Sequence, residues 1–334
     1  MTGPALVTGG SGFVGGALLD RLVADGRDVR ALARTKDAMA AVADRGARAV
    51  RGDVLDLESL VEAMRGCETV FHAAGVNQMC VHDVGPMYRA NIEGSGNVVR
   101  ATRVTGVRRV VYTSSAAAIG EPHGTIGRED SPHRGSYLSH YERSKHLAEQ
   151  RVLAWSRELE VDVVCVNPSS VQGPGRLGGS ARLLLDLANG RLPVVVDTTL
   201  SIVDVADCTE GHLRAETEGR DGERYLLNGA SVNVRQALEL LARVVTLPRR
   251  VRFAPRWIAS IAGGGAEFFA SVAHRDLPLC REAVRTLLHG HRYDGSRAER
   301  ELGLHYTPLE TTVRRTLAWY AERGLAPAPL DPHH

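Results

Sequence analysis

Tyr141 and Lys145 stand four residues apart in the segment Ser139-His-Tyr-Glu-Arg-Ser-Lys-His146. On a helix, positions i and i+4 share a face, so an ammonium can come close to a phenol. A free phenol titrates near ~10 and is a poor proton donor or base at neutral pH. A nearby cation favours the phenolate and draws its pKa towards the range where acid–base catalysis is most effective. The same spacing also arises by chance on amphipathic helices, where such a pair contributes about 0.2–0.5 kcal/mol. Its neighbours in the chain decide between the two readings. Upstream, Val111-Tyr-Thr-Ser-Ser115 ends in two serines, and Ser115 precedes Tyr141 by 26 residues (141 − 115), room for a loop and a return into the next helix. A serine hydroxyl and a phenol converging on one oxygen can orient a carbonyl and exchange its proton. One of the two serines, Ser114 or Ser115, with Tyr141 and Lys145, is therefore a candidate catalytic set, the other serine ending the strand.

These groups need a reaction partner, and the start of the chain supplies a binding loop for one. Ala5-Leu-Val-Thr-Gly-Gly-Ser-Gly-Phe-Val-Gly15 is a short apolar run followed by closely spaced glycines, and Ala17-Leu-Leu-Asp-Arg-Leu-Val23 continues with helical apolar spacing. Between a strand and a helix, Gly9, Gly12 and Gly15 permit a tight turn, close approach to a pyrophosphate, and close helix–strand packing. The helix N-terminus adds amides and the positive end of its dipole. A second strand at Asp28-Val-Arg-Ala-Leu-Ala33 completes the signature of a dinucleotide site.

With Gly9-Gly-Ser-Gly-Phe-Val-Gly15, Tyr141-x-x-x-Lys145 and Val111-Tyr-Thr-Ser-Ser115, the chain resembles the extended short-chain dehydrogenase/reductases of the NAD-dependent epimerase/dehydratase family. Gly52-Asp-Val54, His72-Ala-Ala-Gly75, Tyr88-Arg-Ala-Asn-Ile-Glu-Gly94 and Asn167-Pro-Ser-Ser-Val-Gln-Gly-Pro174 extend the match, which runs from the first strand to about residue 320. It is most similar to hopanoid-associated sugar epimerase-like, dihydroflavonol-reductase-like and 3β-hydroxysteroid-dehydrogenase-like proteins. The resemblance implies that Tyr141 is the acid, Ser115 orients the carbonyl, and Lys145 holds the cofactor ribose and tunes Tyr141. It implies cofactor contacts from Ser11, Phe13 and Val14, from the adenine-side pair Asp53 and Val54, and from Ala73, Ala74 and Gly75. Further contacts are implied at Thr113, Ser114, Pro168, Ser169, Ser170 and Val171, and at Asn91, which supports the lysine.

An acidic residue at the end of the second strand would bind the ribose hydroxyls of NAD, whereas an arginine can neutralise the 2′-phosphate of NADP. Ala31-Leu-Ala-Arg-Thr-Lys36 places Arg34 there with Lys36 close by, so NADP(H) is the preferred cofactor and NAD(H) the second choice. For substrate contacts the resemblance points to Val76, Met79, His82, Ser115, Ala116, Ala117 and Gln172, with Trp257, Phe268 and Phe269 in the lid region. Ala116 and Ala117 occupy the place of the Asp-Glu pair of sugar dehydratases, which disfavours dehydration. Leu200 occupies the place of an arginine with which nucleotide-sugar epimerases clamp a diphosphate, and Arg176 or Arg182 would have to compensate. An apolar carbonyl or alcohol is therefore the expected substrate. A sugar epimerase that oxidises transiently stays open beside it, and a non-catalytic dinucleotide sensor is disfavoured by the complete Ser115/Tyr141/Lys145 set.

Composition fits such an enzyme. The 334 residues carry a net charge of +2, 43% hydrophobic and 24% charged residues. That is ample for a packed core and gives no bulk attraction to nucleic acid. Five scattered cysteines (Cys67, Cys80, Cys165, Cys208 and Cys280) lack metal-type spacing, so no metal is expected. They read as unpaired thiols of a reducing compartment, the cytoplasm. The first strand starts at once, leaving no room for a signal peptide, and no stretch reaches the ~18 apolar residues of a membrane span. A homodimer is left open.

Stepping along the chain, strand and helix patterns alternate through residue 167, which predicts an α/β fold with a Rossmann doubly wound parallel sheet and a smaller C-terminal substrate lobe. Strands are expected near 4–8, 28–33, 47–51, 69–73, 108–114 and 161–167, with helices near 13–25, 36–45, 56–65, 86–105 and 137–159. Residues 1–170 form the expected dinucleotide domain. Residues 171–325 form mainly the substrate lobe, with some segments returning to the sheet, and 326–334 are a tail. Within the lobe, helices are expected near 179–189, 205–218, 233–246, 279–289 and 309–323, and strands near 194–196 and 224–228.

Overall fold

The structure, a computed structural model, describes residues 3–255, 257 and 280–330. Ala5–Thr8 forms β1, buried at every position, and Phe13–Ala24 forms α1 directly behind the glycine loop. The chain then alternates through β2 (Val29–Ala33), α2 (Lys36–Ala43), β3 (Arg48–Arg51), α3 (Leu57–Met64) and β4 (Thr69–His72). After β4, α4 (Gly85–Tyr88), a π-helical turn (Arg89–Gly94) and α5 (Ser95–Thr105) follow without interruption. Next come β5 (Arg109–Thr113), a 3-10 turn (Ala116–Ala118), α6 (His140–Leu159) and β6 (Val163–Pro168).

Six of these strands and one from the second half build a seven-stranded sheet in the order β10-β6-β5-β4-β1-β2-β3, where β10 is Arg224–Leu227. Every neighbouring pair is parallel. The order runs outward from β1 to β3 and then in the other direction from β4 to β10, so β1 and β4 flank the point where the winding reverses. In doubly wound sheets the crevice at that point, beyond the carboxyl ends of the strands, is where ligands bind. The expected Rossmann sheet is thus observed.

Side-chain alternation accounts for the layers. Ala5, Val7, Phe71, Val111 and Val164 point to one face and pack on Leu18, Leu19 and Leu22 of α1. α8 (Val205–Thr217) covers the same face through Cys208 and Ala215. Leu6, Val70, Val110, Tyr112, Val163 and Cys165 point the other way, against α3, α5 and α6. Both faces are covered, which is why the strands read as continuous apolar runs.

The remaining described elements are β7 (Ser170–Gln172), α7 (Ala181–Ala188), β8 (Val194–Val196), β9 (Thr199–Asp204), β11 (Ala230–Asn233), α9 (Val234–Val244) and β12 (Arg252–Ala254). They are followed by α10 (Arg281–His289), α11 (Ser296–Leu302) and α12 (Leu309–Glu322). A three-stranded sheet β11-β9-β7 and a two-stranded sheet β12-β8 sit among them. Leu185, Val195, Leu241, Val244, Leu317 and Tyr320 form a separate apolar cluster here. Strands β7, β9, β11 and β12 and helix α11 were not expected. Among the described residues no helix is long and apolar enough to cross a membrane.

One expectation is overturned. Cys80, in the loop after β4, is disulfide-bonded to Cys280, the residue that caps α10, with Cα atoms 5.5 Å apart. The unpaired-thiol reading holds for Cys67, Cys165 and Cys208, which are free and buried. The reducing-compartment argument therefore fails for the other two. Thiol titration of the denatured protein is expected to find three reactive groups without reductant and all five with it. Five without reductant would mean that the bond does not form. Loss of the bond is expected to destabilise the chain by about 2–5 kcal/mol.

Candidate active site

The glycine loop has the shape of a phosphate cradle. Gly9 adopts φ +75°, and a Cβ there would lie 2.6 Å from the backbone of Ala73 and Ala74. A Cβ on Gly15 would lie 2.2 Å from the Gly9 carbonyl oxygen. Only glycine allows β1, α1 and the end of β4 to converge in this way. Gly12 caps α1 without any side-chain hydrogen bond, so the first-turn amides are left for a ligand. Ser11 is exposed at this opening, with Phe13 and Val14 half-buried behind it. These features fit a dinucleotide pyrophosphate.

On the other side of the crevice, α6 begins at Ser139, whose hydroxyl accepts the Glu142 amide at 3.1 Å and fixes the first turn. Tyr141 therefore lies in that first turn and Lys145 one turn later. Ser115 caps the 3-10 turn after β5, its Oγ accepting the Ala117 amide at 3.2 Å. Burial raises the pKa of the half-buried Tyr141 phenol, against the hydrogen bond from Ser115 and the charge of Arg176, which both lower it. The net effect keeps the proton on the phenol at neutral pH.

The lysine behaves differently from its expected pairing. Lys145 Nζ donates to the Thr113 carbonyl at 2.8 Å and to Tyr112 Oη at 3.4 Å, and lies 4.9 Å from the Tyr112 ring centre. Burial lowers its pKa to about 8 despite the countercharge of Glu149. Arg176, whose charge lowers the phenol pKa, is placed after β7 with its guanidinium 5.5 Å from the Phe13 ring and donating one hydrogen bond to the Val171 carbonyl at 2.8 Å. Sequence reasoning had given this arginine no more than a compensating role. It carries no local motif, so only the fold brings it beside Phe13 and Tyr141.

Behind the site runs a buried polar chain. Thr8 Oγ1 and His72 Nδ1 are 2.7 Å apart, and His72 Nε2 lies 2.9 Å from Ser95 Oγ, which donates to the Asn91 carbonyl at 2.7 Å. Burial, helped by the charge of Lys145, lowers the His72 pKa to about 3, so His72 is a neutral spacer. Asn91 clamps Val76 by accepting its amide at 2.8 Å and donating to its carbonyl at 3.0 Å, and it donates to Ser144 Oγ at 2.9 Å. The π-helical turn around Asn91 is the kind of irregularity that accumulates at functional sites. Asn91 thus fixes the loop after β4 and the helix that carries Tyr141.

Other expected contacts separate into groups. Thr113 Oγ1 is 2.8 Å from His212 Nε2, and Ser114 and Ser169 each hold a buried hydroxyl with no partner among the described residues. Arg34 is exposed, in an ion pair with Asp53 at 3.5 Å, and Lys36 is exposed at the start of α2. Val54 packs closely over Gly94. Ala73, Ala74 and Gly75 follow β4 beside the Gly9 turn. Pro168 ends β6, and Ser170 and Val171 open β7. Of the substrate residues, Ala117 is half-buried, whereas Ala116 is 1% exposed and packs on Ile119, Leu226 and Tyr293, so its side chain belongs to the core. Gln172 Nε2 is tied to Ser170 and Ser180 at 3.0 and 2.8 Å. Met79, His82 and Trp257 are exposed. Phe268 and Phe269 lie outside the described residues. Leu200, on β9, packs against the apolar cluster of the second half. Arg182 forms a surface pair with Asp186.

Residues 5–227 match the NAD dependent epimerase/dehydratase family. The chain belongs to that family. Membership bears out the resemblance to extended short-chain dehydrogenase/reductases carried by the motifs. Among relatives, a putative dihydroflavonol 4-reductase of Synechocystis is 30% identical across 95% of this chain and 94% of its own length. A 4-hydroxy-2-methyl-3-oxo-4-farnesyl-3,4-dihydroquinoline-1-oxide ketoreductase of Stigmatella aurantiaca is 32% identical across 89% and 90%. The crystal structure of gox2253 is similar with a TM-score of 0.83 and 30% identity, covering 97% of this chain and 99% of that one. As a member of the NAD dependent epimerase/dehydratase family, the protein is an enzyme whose fold binds a nicotinamide dinucleotide, and the cradle at Gly9–Gly15 fits one.

Proposed function

We propose that this enzyme reduces a ketone or aldehyde of an apolar small-molecule metabolite, or oxidises the matching alcohol, with NADP(H) preferred to NAD(H). The observation that carries the reading is the placement of Ser115, capping the turn after β5, and Tyr141, in the first turn of α6, beside the glycine-loop crevice, where burial raises the phenol pKa. The dinucleotide, when bound, supplies or takes up the hydride. Ser115 Oγ donates to the substrate oxygen and fixes its position, and Tyr141 Oη delivers the proton to that oxygen or removes it. Lys145 and Asn91 hold the floor of the site, through the Thr113 carbonyl and through Val76 respectively. The apolar setting of Leu200, where a diphosphate clamp would need a cation, supports an apolar substrate, as do the names of the reductase relatives. The test follows the reduced-nicotinamide absorbance of NADPH with the full chain and a panel of steroid, polyphenol, terpenoid and polyketide ketones. Consumption with at least one of them is expected. Tight binding of a nucleoside diphosphate sugar, with interconversion and no net dinucleotide consumption, would overturn the reductase reading in favour of an epimerase.

The NADP(H) preference rests on Arg34 and Lys36. The exposed Arg34–Asp53 pair is weak and leaves the guanidinium able to turn to a 2′-phosphate. A charge-assisted hydrogen bond contributes ~1.5–3 kcal/mol, so Arg34→Asp is expected to shift the ratio of kcat/KM values from NADPH towards NADH by about tenfold or more. An unchanged ratio would show that another residue reads the ribose.

A further inference from the structure

We propose that Glu121, His289 and His291 bind one divalent transition-metal ion of the zinc class. Glu121 follows the loop after β5, while the two histidines come from the end of α10, so sequence spacing alone gives no sign of the set. Gly290, in a left-handed conformation at φ +70°, turns the chain so that both imidazoles stay together, with ring centres 4.7 Å apart. Glu121 Oε1 lies 2.6 Å from His291 Nδ1 and 3.4 Å from His289 Nε2, and one ligand atom from each residue falls within a 4.8 Å cluster. Bonds of ~2.0–2.2 Å to nitrogen and oxygen in a tetrahedral site separate the donors by roughly 3.3 Å. Shifts of about an ångström or less would therefore seat an ion.

Two independent observations show that the cluster lacks a partner. Glu121 is 1% exposed, yet Oε2 has no hydrogen-bond partner among the described residues while Oε1 faces both imidazoles. His291 Nδ1 also lies 3.0 Å from Tyr293 Oη, so one ring nitrogen, with a single proton or a single lone pair, faces two oxygens. A cation coordinated there resolves both mismatches. Arg134, whose guanidinium donates to the Glu121 carbonyl at 3.2 Å, is already neutralised by its ion pair with Glu142. One carboxylate and two imidazoles form a donor set suited to zinc, with a further position for water. His289 also lines a surface cleft of about 280 Å³ with His123, Asp197 and Asn233, which gives an entry path.

The ion would be structural. Ala116 and Ile119 pack on Tyr293. Fastening Glu121 to residues 289–291 would therefore stiffen the loop that begins at Ser115. The test uses the full chain, stripped with a chelator and titrated with Co2+ as a visible probe, then with Zn2+ by calorimetry. One equivalent of Co2+ is expected to give d–d absorption that Zn2+ abolishes. His289→Ala/His291→Ala should weaken binding by about a hundredfold, and the near-isosteric Glu121→Gln, which keeps the fold if the double variant does not, by at least about tenfold. His333→Ala/His334→Ala should leave it unchanged. The proposal is overturned if the intact chain binds no stoichiometric ion. It is equally overturned if Glu121→Gln binds as tightly, or if binding disappears with His333 and His334.

Discussion

Tyr141→Phe is expected to lower turnover by about 10²–10⁴-fold, the usual contribution of a positioned proton donor. The substitution removes one oxygen and keeps the ring, so the packing of α6 and dinucleotide affinity should change little. The direction of the Tyr141 pKa adds a sign. Burial outweighs Ser115 and Arg176 and holds the phenol protonated above its ordinary value. Reduction needs the phenol as acid and is expected to run at neutral pH. Alcohol oxidation needs the phenolate and is expected to gain with rising pH until that value is reached. In Tyr141→Phe both the rate and this opposed pH dependence should vanish together. A variant that keeps most of the rate, or wild-type rates whose two directions share one pH profile, would remove Tyr141 from the acid–base role.

What could be read in the chain tracks the range of the interactions involved. Buried parallel strands are contiguous apolar runs, as in Ala5–Thr8 and Val163–Val166, and the first five strands are each followed by a helical pattern, so the doubly wound sheet is legible in the sequence. The cap at Ser139 and the glycine loop are equally local. Strands β7, β9 and β11 are three to six residues long and exist through pairing with one another, Ser170 with Ile202 and Ala230 with Ile202. No periodicity that short distinguishes them from loop. The Cys80–Cys280 bond spans 200 positions, and an odd number of scattered cysteines gives no hint of which would meet. The Tyr-x-x-x-Lys spacing shows that the two side chains share a helix face, but where the ammonium points depends on Thr113 and Tyr112 from β5. Arg176 reached the phenol by the same long-range route.

The lysine's environment leads to the second large effect. Lys145 is 6% exposed, and burial lowers its pKa from 10.5 to about 8. A group with a depressed folded-state pKa that is cationic when protonated destabilises the fold most below that value, where both states are charged. The penalty fades as pH rises from about 8 to 10.5, where the unfolded chain holds more protons. The difference corresponds to roughly 3 kcal/mol, partly offset by the Thr113 hydrogen bond, itself worth ~1 kcal/mol or slightly more. Lys145→Met, of similar length and without charge, is therefore expected to keep or raise the melting temperature at pH 7. The same change should cut turnover by about a hundredfold and weaken dinucleotide binding, because the ammonium assigned to the ribose is gone. Melting curves at pH 7 and pH 10 separate the terms, since any gain from Lys145→Met should shrink at the higher pH. A variant that melts far lower at pH 7 would make Lys145 a structural residue, and intact dinucleotide affinity would remove it from the ribose. Stability held back by a buried charge that the chemistry requires is the pattern expected of a functional residue.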